Sequence, residues 1–454
     1  MRTPILLALG MFGATAVLVR QDAVAAKGRV VNVHTIHREV IPSFTRQTGL
    51  ACNVCHTTFP QLTPFGRLFK LNGYTLTGLQ VVEAGDTAKR SLRLDVVPPI
   101  SAMVMSSVTT AKTARPGTQN GNAQLPQQMS MFFGTEISPR MGTFLQFTYS
   151  ASSGAFGIDN TDIRYANRTK LFAKNTIWGL SLNNNPTVQD VWNSTPAWSF
   201  PWASSALALT PAATPVVNGA LAQQVAGLGA YAMWDNQIYG EFSAYRPAPQ
   251  GRATPPDSNT IKGIAPYWRA ALQHSWRGQY LELGTYGLST TRYPGAVGGA
   301  TDRYTDVAVD GQYERRVGGG NITGHATWIH ERQTLDASFT GGAAANRVNT
   351  LQMFKVDGSY YTAGRLGATL AYFGTTGTRD TLLYAPGPLT GSRTGVPNSN
   401  GVIGEVDFLP WLNTRLVLQY VAYTKFNGAT SGYDGAGRNA SDNNTLYLLA
   451  WLVF

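Results

Sequence analysis

Apart from one pentapeptide, this 454-residue sequence has no cysteine, and charge is scarce: Asp, Glu, Lys and Arg together make up 13% of it. After its first two dozen residues it also has no uninterrupted apolar run long enough to cross a bilayer as a helix. The length alone would imply about three soluble domains, but so little charge argues against them. The missing runs argue against a helical membrane protein. What is present instead is glycine (48), tyrosine (20) and tryptophan (10), with a hydrophobic fraction of 43% and a mean hydropathy of −0.12. A closed transmembrane barrel has this profile, because its lumen face is polar and only alternate residues meet lipid.

From about Leu94 onward the chain reads as strand-like segments joined alternately by tight turns and long polar loops. The expected hairpins pair Met129–Ser138 with Thr143–Ala151, Gly229–Trp234 with Ile238–Arg246, and Trp268–Trp276 with Tyr280–Leu288. Three more pair Tyr304–Arg316 with Ile322–Arg332, Leu351–Thr362 with Leu366–Thr375, and Val402–Leu409 with Arg415–Phe426. Each rests on period-two alternation and on turn residues such as Arg277-Gly278 and Gly318-Gly319-Gly320. The long connections, such as Pro247–Lys262, Arg379–Asn400 and Asn427–Asn443, are rich in Gly, Pro, Ser, Thr and Asn. Short turns at one end and long loops at the other mark an outer-membrane barrel, here of about sixteen antiparallel strands. A secreted β-solenoid or sandwich is the competing architecture, since alternation cannot tell an open sheet from a closed one. The last segment, Leu446–Phe454, ends on an aromatic residue, as strands that direct barrel insertion do. Its other face, Tyr447, Leu449, Trp451 and Val453, is apolar too and needs a cover if the strand faces lipid.

Both cysteines fall in Cys52-Asn53-Val54-Cys55-His56. In Cys-x-x-Cys-His the two thiols add across the vinyl groups of a haem, and the adjacent histidine is placed under the iron as its proximal ligand. The motif therefore predicts one covalently attached haem c, bound by Cys52 and Cys55, with His56 on the iron. A thioredoxin-like redox pair would need a βαβ setting, which is missing. A zinc site would need two further ligands, such as His34 and His37.

Haem c is attached outside the cytoplasm, and residues 1–25 read as an export signal. Arg2 forms the positive n-region, Ile5–Val19 the apolar stretch and Ala23-Val24-Ala25 the cleavage site; an uncleaved anchor is the alternative. The expected organisation is a signal peptide over 1–25, a monohaem cytochrome c segment over 26–90 and the barrel over 91–454. The haem segment is small for a free-standing cytochrome, so it should lean on the barrel for its core and plug the lumen. Within it, Pro42–Gly49 and Thr63–Gly73 read as short helices, the first with Pro at its start and Gly at its end, the second with Thr63 as N-cap. Phe59, Phe65, Leu68 and Phe69 are candidates to wall the porphyrin, and Arg67 and Lys70 to pair its propionates. Candidates for the distal ligand are His34 and His37, Met103, Met105, Met129 and Met131, with His37 favoured by chain proximity. His274, His325 and His330 fall on barrel strands and read as structural or lumen residues.

The run Pro42–Gly49, then Cys52–His56, Phe59-Pro60, Phe65-Gly66-Arg67, Phe69-Lys70 and Gly73-Tyr74 resembles the fused monohaem cytochrome-porins of iron-oxidising bacteria. The stretch from Asn183 to Trp198 resembles an internal segment of the same family. The resemblance implies an outer-membrane iron(II):cytochrome c oxidoreductase. Extracellular Fe(II) would be its donor, and a periplasmic c-type cytochrome or other periplasmic carrier its acceptor. Two other readings of the same layout are an outward conduit to an external acceptor and a passive porin with a structural haem plug.

The formal charge of +11 sits awkwardly with a cationic donor, since a uniformly basic mouth repels it. Lipopolysaccharide contact is one use for basic residues on a barrel embedded in outer-membrane lipid. Nucleic acid, the other usual partner of a basic chain, does not fit an exported barrel.

Overall fold

The structure is a computed structural model that describes residues 42–77, 99–248, 260–295, 297–362 and 365–454. The signal reading, His34, His37 and the Ala363-Gly364 turn lie outside the described residues. Among those described, sixteen strands form one closed antiparallel barrel. In chain order they are β1 (Ile100–Ala111), β2 (Ala123–Ser138), β3 (Met141–Ser150), β4 (Ala155–Leu171), β5 (Lys174–Asn183), β6 (Val225–Trp234), β7 (Ile238–Pro247) and β8 (Ala265–Trp276). There follow β9 (Gln279–Arg292), β10 (Asp302–Val317), β11 (Gly320–Thr334), β12 (Val348–Thr362), β13 (Leu366–Gly377), β14 (Ser399–Trp411), β15 (Thr414–Lys425) and β16 (Thr445–Val453). Each pairs with its chain neighbour, and β16 closes on β1 with Trp451 opposite Met105 and Val453 opposite Met103.

The alternation legible in the sequence turns the wall inside out relative to a soluble protein. On β14, Val402, Val406 and Phe408 are exposed while Ser399, Glu405 and Asp407 are buried. The same holds on β11, where Trp328 faces out and Thr327 and Glu331 face in. An apolar outer face and a polar inner one fit lipid outside and a filled lumen within, which is the arrangement of an outer-membrane-type barrel. The six expected hairpins all form. A seventh, β4 to β5, turns at Phe172 and Ala173, whose φ values of 50° and 63° give the doubly left-handed conformation of a hairpin turn. No Gly or Asn marks that turn, which is why the sequence pattern passed over it.

The longest connection, residues 184–224 between β5 and β6, is bound to the inner wall. Arg269 of β8, with its side chain fully buried, reaches Asp310 of β10 at 2.6 Å, Glu282 of β9 at 3.1 Å and Asp190 of the connection at 3.6 Å. Asp190 also accepts from the backbone N–H groups of Trp192, Ser194 and Thr195. Trp192, wholly buried, donates to Gln273 and to the Tyr280 hydroxyl. Further along, the N–H groups of Val216 and Val217 donate to Glu331 and Asp306. A buried guanidinium stripped of its carboxylates costs about 3–5 kcal/mol, so the Arg269 cluster locks the connection in place once formed.

Candidate functional site

Three short helices carry the motif residues. The first, α1 (Ser43–Thr48), ends at Gly49, whose φ of 70° lets the chain reverse, and the next, α2 (Cys52–Cys55), is a single turn. Because side chains three apart share a helix face, that turn brings the two thiols to one side. The thiols are unbridged. His56 leaves the helix in extended conformation.

The third helix, α3 (Pro64–Leu71), is capped by Thr63, whose hydroxyl accepts from Gly66 N at 3.1 Å and donates to Val54 O. Thr63 N donates to Cys55 O at 2.9 Å, tying the start of α3 to the motif. Gly66 makes this crossing possible, since a Cβ there would stand 2.2 Å from Cys55 O. Gly66→Ala is therefore expected to force the two helices apart, at a cost of about 1–3 kcal/mol. It should lower the haem attached per folded barrel, measured as haem stain against barrel band intensity.

The helices rest on inward-facing wall residues. Ser43 Oγ donates to Gly134 O on β2 at 2.6 Å, and a Cβ on Gly134 would lie 2.7 Å from the Phe44 ring. Phe44 packs edge-on to Phe69 and stacks with Tyr74, whose hydroxyl donates to Asp162 of β4 at 2.7 Å. Asp162 in turn holds Arg164 at 2.8 Å.

Cys52, Cys55 and His56 face a cavity of about 420 Å³, within the usual range for ligand pockets. Phe44, Phe59, Phe69, Phe132, Phe144, Trp198, Trp202 and Trp451 supply aromatic walls, and Met103 and Met105 a thioether one. The lining runs from Ser101 and Gly134, near the short-turn end, to Gln128, Asp159 and Asn160, nearer the long connections. Arg415, bonded to Glu405 and Asp407 at 2.6 Å each, backs the aromatic wall by sitting over Trp202 and Trp451. The apolar inner face of β16 is thereby explained: Tyr447, Leu449, Trp451 and Val453 pack with Met103 and Met105 under Phe59, Trp202 and Ala203.

Burial pulls the His56 imidazole down to about 4, although the Pro60 and Gln61 backbone partly restores its hold on a proton. It is thus neutral, as an iron ligand must be. Burial, and then Cys52 beside it, push the Cys55 thiol up to about 11. Two thiols on one face, a neutral imidazole beside them and a largely aromatic cavity fit a covalently held porphyrin. Among the described residues no group of three or more His, Cys, Asp or Glu side chains is placed to hold a metal ion.

The other candidates divide. Phe59, which packs against His56 with ring centroids 4.7 Å apart, and Phe69 line the cavity, whereas Leu68 packs with Leu71 and Trp192. Phe65 is not part of the lining. Arg67 turns to β10, bidentate to Glu314 at 2.5 and 3.0 Å and over the Tyr280 ring. Lys70 lines the cavity but gives its ammonium to Val188 O and Asp190 O, both at 2.7 Å. Burial and the nearby Arg164 draw it down to about 7. Both basic residues thus bind helix to barrel and connection. Met131 faces outward and His325 bonds Asp357 of β12 at 2.9 Å; Met129, His274 and His330 are not part of the cavity lining. Trp202, and the roles of Trp198 and of the Asn193 side chain, which accepts from Leu62 N at 3.0 Å, are not legible in the sequence, because they depend on the inward fold of 184–224.

No family model matches the chain, and no curated protein matches it. Solved structures similar to it include the outer-membrane channel DcaP of Acinetobacter baumannii, at 12% identity and a TM-score of 0.48, covering 78% of this chain and 96% of that one. OmpF of Salmonella typhi in complex with daunomycin matches at 11% identity and a TM-score of 0.47, covering 78% and 97%. An anion-selective porin from Comamonas acidovorans matches at 11% and 0.46, covering 78% and 98%.

Proposed function

We propose that this chain is an outer-membrane c-type cytochrome-porin that oxidises extracellular Fe(II) and passes the electron to a periplasmic c-type cytochrome or other periplasmic carrier. The observation that carries this reading is the aromatic cavity built against Cys52, Cys55 and His56 on the inner side of a closed barrel wall. A haem c held there supplies a one-electron iron couple. The segment over 42–77 acts as a plug, anchored by Ser43 to β2, Arg67 to β10 and Tyr74 to β4. Each Fe(II) loses one electron outside and the carrier gains one inside, while Fe(III) stays out.

The buried residues of the barrel are less basic than the total of +11 suggests. Among the described residues the buried cations are Arg67, Lys70, Arg164, Arg269 and Arg415. The buried carboxylates outnumber them, with Asp162, Asp190, Glu241, Glu282, Asp302, Asp306, Asp310, Glu331, Glu405 and Asp407 on the wall and the inserted connection alone. The cavity's reach toward the short-turn end, which is periplasmic in barrels of this kind, favours hand-over to a periplasmic carrier.

Anaerobic addition of Fe(II) to the purified protein is expected to bring up the bands of a reduced c-type haem. Reduction by dithionite with no response to Fe(II) would overturn iron oxidation in favour of the outward conduit or the passive porin.

A further inference from the structure

We infer that the barrel wall itself completes the iron site: the thioether of Met103 or Met105, on β1, is the distal ligand of the haem. The inference rests on the haem reading above and adds to it a residue outside the cytochrome segment. The inner face of β1 reads Ser101, Met103, Met105, Ser107, Thr109. Methionines also face inward at Met233 of β6 and Met353 of β12, but among the described residues only Met103 and Met105 line the cavity. Both are 3% exposed, both line the cavity that Cys52, Cys55 and His56 face, and both share an apolar cluster with Phe59, the ring packed against His56.

Other cavity side chains able to bind iron are committed elsewhere. Lys70 Nζ is held by two backbone carbonyls, and the Tyr74 hydroxyl donates to Asp162. Asp159 accepts from Thr148, Gln223 and Asn160 N, toward the long-connection end. No second histidine lines the cavity among the described residues. A neutral thioether suits an apolar site, and histidine–methionine ligation raises a haem's potential, as an Fe(II) donor requires.

The experiment is spectroscopic and independent of turnover. Native protein, with covalent haem verified after denaturing electrophoresis, is compared with Met103→Leu, Met105→Leu and the double variant. These are near-isosteric changes that a core tolerates, and barrel folding is checked by heat-modifiable mobility. Native oxidised protein is expected to be low-spin, with the sulfur-to-iron charge-transfer band. One single variant, or the double variant if the two sulfurs can replace each other, should lose that band, bind added imidazole and show a lower midpoint potential. The inference is overturned if native protein lacks the band, if the folded double variant keeps it, or if His37→Ala removes the low-spin state. Native protein without covalent haem overturns the haem reading itself.

Discussion

Cys52→Ala or Cys55→Ala is expected to abolish stable covalent haem attachment while leaving the barrel folded. Each thiol forms one thioether, and the sequence has no spare cysteine. Both side chains are small and sit on a one-turn helix, and the segment is held to the wall through Ser43, Arg67 and Tyr74 and to the inserted connection through Lys70 instead. Haem staining after denaturing electrophoresis reads the loss, and heat-modifiable mobility reads the barrel. Signal should vanish or fall to a trace in each variant. Undiminished covalent haem in both would sink the haem c reading.

The barrel was legible because its rules are local. Period-two alternation and turns such as Arg277-Gly278 placed six hairpins within a few residues of their ends, and the helix signals Thr63-Pro64 and Gly49 gave the caps of α3 and the end of α1. The β4–β5 hairpin was hidden because Phe172 and Ala173 take left-handed φ against their own preference, a choice enforced by strand pairing. The assignment of Arg67 and Lys70 to propionates followed from helix position alone. The protein partners they hold, Glu314 and the carbonyls of Val188 and Asp190, lie more than a hundred residues away, and no local pattern reports them. The cavity wall has the same origin. Trp198 and Trp202 reach it on a connection held by contacts between segments distant in sequence, Asp190 with Arg269 and Trp192 with Tyr280 among them.

Those contacts also set what the pore can pass. Sixteen-strand barrels with an open lumen leave an aqueous channel, whereas here residues 184–224 are bound across β8, β9, β10 and β11 by Arg269, Asp310, Tyr280, Thr327 and Glu331. The reconstituted native protein is expected to conduct ions poorly in a planar bilayer. Replacing residues 186–222 with a short Gly-Ser turn should raise single-channel conductance several-fold, though short of an open barrel, because the segment over 42–77 keeps its own anchors to β2, β4 and β10. The deletion spares the wall, because Asn183 of β5 already pairs with Gly227 of β6 and the hairpin can close without the insertion. A gentler variant, Arg269→Ala, leaves Glu282, Asp310 and Asp190 buried together without their cation. It should loosen the connection by about 3–5 kcal/mol, giving intermittent openings in place of steady closure. Native protein that conducts as freely as the deletion variant would mean that the lumen is open, and the passive porin would then be the better account of this chain.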